Sequence, residues 1–154
     1  MFEDKYLFFL AVHNLWRWIA LGTGIVSVVV SIRGLLSSSS FRPSGRIAGI
    51  LYVAAMDIQL LLGFILYGIS PLLKLARAHF SLAMKRHELR FFAVEHITLM
   101  LLALVLVHIG SVRSKRALTD RLKFRQLLIW NSASLVMILF GIPWWRPLFR
   151  SFTF

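Results

Sequence analysis

Apolar residues fall into four long runs separated by short polar stretches, over residues 6–32, 47–69, 91–112 and 127–142. Each is long enough to cross a hydrocarbon core of about 30 Å at about 1.5 Å per residue. None alternates with a period of two, and backbone in lipid must satisfy its own hydrogen bonds, so all four are predicted helices. The first run opens behind FEDK and carries His13 and Arg17 inside it, unlike the basic start and short apolar core of a signal peptide, so it reads as a retained span. Ser37–Ser40 with Pro43 and Gly45 marks a turn. Ser70–Pro71 ends the second helix, and Pro143 ends the fourth ahead of Trp144 and Trp145. Between the second and third runs, residues 72–90 interleave Leu72, Leu75 and Leu82 with Lys74, Arg77, Lys85 and Arg86. That pattern suits either an interfacial amphipathic helix or a solvated linker.

Composition agrees. The chain of 154 residues is 58% hydrophobic and 16% charged, against about half and a quarter in soluble domains, which excludes an ordinary soluble globule. Cysteine is absent, which removes disulfides, thiolate metal sites, iron–sulfur clusters and covalently attached c-type haem. The net charge of +12 would suggest nucleic acid in a soluble protein. Beside apolar runs the bases instead meet lipid headgroups, and no nucleic-acid-reading motif accompanies them. The expectation is an all-α integral membrane four-helix bundle, up-down-up-down, forming one domain over residues 1–154. One face would hold both termini with Lys5, Lys74, Arg77, Lys85, Arg86, Arg90, Arg146 and Arg150. The other would hold Arg33, Arg42, Arg46, Arg113, Lys115, Arg116, Arg121, Lys123 and Arg125. The acidic N-terminal tail and the compact basic loops of the second face favour that face as cytoplasmic, leaving the termini outside.

Ionisable residues inside spans are candidates for function. His13 lies about 9 Å into the first helix, and His96 about 7–8 Å into the third from the same face, on helices expected to stand diagonally. Two histidines at one depth across a bundle have the geometry of bis-His haem b ligation; the alternative is two histidines bonded to backbone or to Glu95. Arg17, one turn below His13, and Asp57, on the second helix, fall at similar depths of about 15 and 18 Å, which suits either a buried clamp or a polar wall for a cofactor, quinone or proton path. His108 lies about 18 Å beyond His96 and is rotated by about 120°, so it cannot share a metal with it. It would be a single axial ligand, a quinone hydrogen-bond partner or a satisfied interior histidine. Gln59, about 200° from Asp57, faces another helix or a bound group. Arg90, at the membrane boundary, is either a partner for a haem propionate or an interfacial anchor. Glu95 would pair with Arg90, orient a ligand or carry a proton. His79 and His87 would face water. No H-E-x-x-H, P-loop or G-x-S-x-G motif is present.

The segments HNLWRW (from His13), MDIQLLLGFILYG (from Met56), RFFAVEH (from Arg90) and GIPW (from Gly141) occur in this order over most of the chain. In combination they resemble a group of small bacterial four-helix integral membrane proteins usually labelled cytochrome b, similar in architecture to the b561 type. Members carry histidine or aspartate where this chain has Asp57, so the resemblance implies no obligatory ligand there. It implies a haem b protein of the bacterial inner membrane, passing single electrons to or from a quinol pool or a partner redox protein. Two readings compete with it: a cofactor-free accessory subunit that presents its fourth helix to a larger respiratory or photosynthetic complex, and a quinone- or lipid-binding module using Gln59, Arg17 and His108.

Overall fold

The computed structural model describes residues 2–146; Arg150, placed above with the bases of one face, lies outside them. Helix α1 spans Phe2–Leu36 and α2 spans Ser44–Ile69. Three short helices come next: α3 (Pro71–Ala78), α4 (Phe80–Lys85) and α5 (His87–Arg90). A π-helical turn over Phe91–Glu95 leads into α6 (His96–Arg116), and α7 spans Asp120–Gly141. Among the described residues the regular elements are all helical. Four of the helical stretches are long and apolar enough to cross a membrane: Glu3–Leu36, Ser44–Ile69, His87–Arg116 and Asp120–Gly141.

These helices outrun the apolar stretches that announce them. The third span begins at His87 rather than residue 91, and α7 begins at Asp120 rather than residue 127. Hydropathy marks only the part matched to hydrocarbon, while helical hydrogen bonding continues into the polar boundary. Local chemistry sets the ends. Ser70, restrained by the following proline, is extended (ψ 126°) and closes α2 by donating its N–H to the Leu66 carbonyl, and Pro71 opens α3. Thr119 caps α7 by accepting the Leu122 N–H at 3.3 Å. Ile142, ahead of Pro143, is extended (ψ 129°).

Helix α1 packs against α2 and α7, and α6 packs against the same two, so α1 and α6 stand diagonally. The core between them centres on Tyr52, Met56, Ala103, Val107 and Ile138. Polar residues are folded into it with partners. The hydroxyls of Tyr52 and Ser134 lie 2.9 Å apart, Ser134 donates to the Ala103 carbonyl at 2.9 Å, and Asn131 donates to Ser27 Oγ at 2.8 Å. The polar residues of α7 therefore join it to α1, α2 and α6. Gly110 brings α6 close to α7: a Cβ there would lie 2.7 Å from Trp130 Cβ.

Residues 71–90 are folded rather than a solvated linker. Ala76, Ala83 and Leu89 form a small buried cluster with Leu72, Met84 and Ala93, while Lys74, Arg77, Lys85 and Arg86 are exposed. Short helices with one apolar side need another surface to bury it, and here they bury it against one another and the start of the third span.

Candidate cofactor pocket

His13 and His96 come together across the diagonal, with ring centres 6.4 Å apart and ring planes at 70°. The π-helical turn directly before His96 inserts extra backbone and rotates the phase of α6 relative to the residues before the turn. Its effect is visible in neighbouring residues: Glu95 turns to Arg90, while His96 turns inward between Phe91 and Phe92.

The hydrogen bonds of the two imidazoles define their tautomers. The last turn of α7 leaves the Gly141 carbonyl without a helical donor, because the chain becomes extended at Ile142 and Pro143 has no N–H. His96 Nδ1 lies 2.7 Å from that oxygen. A carbonyl only accepts, so Nδ1 carries the proton and Nε2 holds the lone pair. A backbone carbonyl fixing one nitrogen while the other keeps its lone pair is the arrangement seen in metal-binding histidines. His13 Nε2 lies 3.3 Å from the Gln59 amide nitrogen, which also donates to the His13 carbonyl at 3.2 Å. That nitrogen only donates, so the proton of His13 is on Nδ1, which is buried with no hydrogen-bond partner, as is Gln59 Oε1. Trp16 Nε1, donating to the Ala55 carbonyl at 3.0 Å, fixes α1 against α2 beside the pair.

The two rings border a cavity of about 150 Å³. All four long helices line it: Asn14 and Arg17 from α1, Met56, Gln59 and Gly63 from α2, Ile97 and Met100 from α6, and Ile138 from α7. Arg17 is 9% exposed, and its guanidinium lies over the Trp18 ring, 5.3 Å from the centroid. Tyr6, Tyr67, Ser70 and Arg146 line the cavity at its mouth, the bundle end where α1 begins and α7 ends. Arg146 bonds Glu88 and lies over the Phe92 ring, 4.5 Å from its centroid.

Three sequence expectations change. Asp57 does not form the wall with Arg17: its Oδ1 accepts from His108 Nε2 at 2.9 Å, and both side chains are nearly half exposed on the outside of the bundle. Residue 57 sits on the far side of α2 from Gln59, which takes the cavity position. His108 is accordingly neither an interior histidine nor an axial ligand of the pocket. Arg90 does not line the cavity; its Nε donates to Glu95 at 2.6 Å and its Nη1 to the Met84 carbonyl at 3.3 Å. The guanidinium at the mouth belongs to Arg146, which the sequence offers only as one more boundary base. Its signal is its place just beyond GIPWW, at the end of the helix whose last carbonyl holds His96. His87 packs against Phe91 and Trp145 at the same end.

Among the described residues no three His, Cys, Asp or Glu side chains converge. Two imidazoles alone make a poor site for a bare cation, but they suffice for an iron whose other four ligands come from a macrocycle. Fold and site together define a multi-pass helical membrane protein with a two-histidine pocket between diagonal spans. Comparison of the chain with protein-family models, curated proteins and solved structures finds no match.

Proposed function

We propose that the protein is a membrane haem b protein for one-electron transfer, in which His13 and His96 would hold the haem iron. The spacing of the two rings carries the reading. Metal–imidazole bonds are about 2 Å long, so two imidazoles that shared one metal ion would have ring centres roughly 6 Å apart. The observed value is 6.4 Å. Supporting it are the lone pair on Nε2 of His96 and an apolar cavity beside both rings; His13 would offer the lone pair of its Nε2 once the Gln59 amide releases it. Bound there, haem would supply a reversible ferric–ferrous couple.

The chain's own residues then have distinct tasks. The Gly141 carbonyl orients His96. Gln59 holds the backbone and ring of His13 in register. Arg17, a cation within the cavity wall, favours the more electron-rich state of whatever lies beside it. Arg146 offers hydrogen bonds at the mouth to carboxylates that emerge there. In this reading the bundle is up-down-up-down, with both termini on the non-cytoplasmic side of a bacterial inner membrane. The helices of residues 71–90 lie at that interface, and electrons pass to a quinol pool or a protein partner.

The test is a reduced-minus-oxidised visible spectrum of protein purified from its native membrane, with a pyridine haemochrome assay. A six-coordinate b-type spectrum lost in both His13→Ala and His96→Ala supports the proposal. Protein without haem from that source refutes it and leaves the accessory-subunit and the quinone- or lipid-binding readings.

A further inference from the structure

The Asp57–His108 pair is misplaced for a structural ion pair. Ionisable side chains within spans ordinarily face the bundle interior or an aqueous cavity. This pair faces outward, with side chains 46% and 47% exposed, amid an apolar surface formed by Leu61 on α2 and Leu101, Val105 and Val112 on α6. Asp57 is central in α2 and His108 lies within the most apolar part of the third span, so lipid tails would surround them. The pair is only half satisfied. Nε2 and Oδ1 bond each other, leaving His108 Nδ1 and Asp57 Oδ2 directed to hydrogen bonds that hydrocarbon cannot supply. The third span is also the least covered: 11% of its most apolar window is buried, against 28–33% in the other three.

We infer that this face of α2 and α6 is the interface of a symmetric dimer, occupied by a second copy of the chain. The pair is its own complement. Because Asp57 and His108 bond each other, they lie at one depth in the membrane. A two-fold axis along the membrane normal preserves depth and sets α2 of one copy against α6 of the other. Each His108, protonated at Nδ1, then donates to Oδ2 of the partner's Asp57, and four side chains close into an alternating ring. An isologous contact of this kind meets every residue with its own counterpart. Interhelical hydrogen bonds shielded from water are a known source of association in membranes, where apolar contact alone discriminates poorly between protein and lipid. Haem plays no part in this contact.

The absence of cysteine makes the test direct. Single cysteines replace Leu61 or Val105 on the proposed face, or Phe140 on α7 and Ile25 on α1 as controls, all four being exposed. Native membranes are treated with a short bis-maleimide. A product of twice the chain mass from Leu61→Cys and Val105→Cys, with little from the controls, supports the dimer. No product, equal products from the controls, or adducts of another mass overturn it, the last by showing a foreign partner on this face. The double variant Asp57→Leu/His108→Leu, which leaves an apolar lipid-compatible face, is expected to weaken self-association in bilayers at least tenfold by single-molecule photobleaching. Unchanged association would also overturn the proposal.

Discussion

Replacing Ser134 by Ala removes one oxygen atom and tests whether the buried hydroxyl chain holds the bundle together. Tyr52 and Ser134 are both fully buried. Ser134 Oγ stands between the Tyr52 hydroxyl and the Ala103 carbonyl, at 2.9 Å from each, and so links α7 to α2 and α6. Without it, the Tyr52 hydroxyl remains in an apolar core with no partner and no water. The cost of such an orphan is about 1–3 kcal/mol. Tyr52→Phe removes the hydroxyl itself and leaves Ser134 bonded to Ala103. It forfeits one interhelical hydrogen bond, worth about 0.6 kcal/mol on average and about 1.7 at most. The expected order is therefore Ser134→Ala more damaging than Tyr52→Phe. The double variant should be less damaging than the sum, because with no phenol there is no orphan. Reversible unfolding in mixed detergent micelles, monitored by tryptophan fluorescence and circular dichroism, gives the three free energies. If Tyr52→Phe costs as much as Ser134→Ala, or the two effects simply add, then Ser134 is not what satisfies the buried phenol.

Other perturbations separate other parts of the structure. Gly110→Ala should destabilise the protein by about 1–3 kcal/mol, because the new methyl would meet Trp130 Cβ, an atom too close to its backbone to swing away. Gly22→Ala, with nothing within 4 Å of the added carbon, should be neutral, and thermal unfolding in one detergent compares the two. If haem is bound, Arg146→Ala should raise its rate of loss to an apo-myoglobin scavenger several-fold, whereas Arg90→Ala, outside the cavity, should not. Equal loss from both would contradict the placement of the mouth.

Depth is the quantity legible in the chain alone. Position along a helix converts to distance through a membrane by multiplication, so the four spans and their punctuation at Ser70–Pro71 and Pro143 need no tertiary information. The same conversion puts His13 and His96 at one level. Whether two residues at one level meet depends on azimuth, which advances by about 100° with each residue and accumulates error along a long helix. It also depends on which helix stands alongside. Arg17 and Asp57 share a depth but not a face: Gln59, two residues on, takes the cavity, and Asp57 meets His108 outside. The π-helical turn over Phe91–Glu95 shifts the phase without any mark in the hydropathy. The pairing of Arg90 with Glu95 is among the readings the sequence offers, whereas the arrival of Arg146 at the mouth depends on how the chain folds beyond α7. Sequence alone determined a four-span apolar helical chain carrying two histidines at one depth. Tertiary structure decided which polar groups face each other, because helix phase and helix neighbours are properties of the packed bundle.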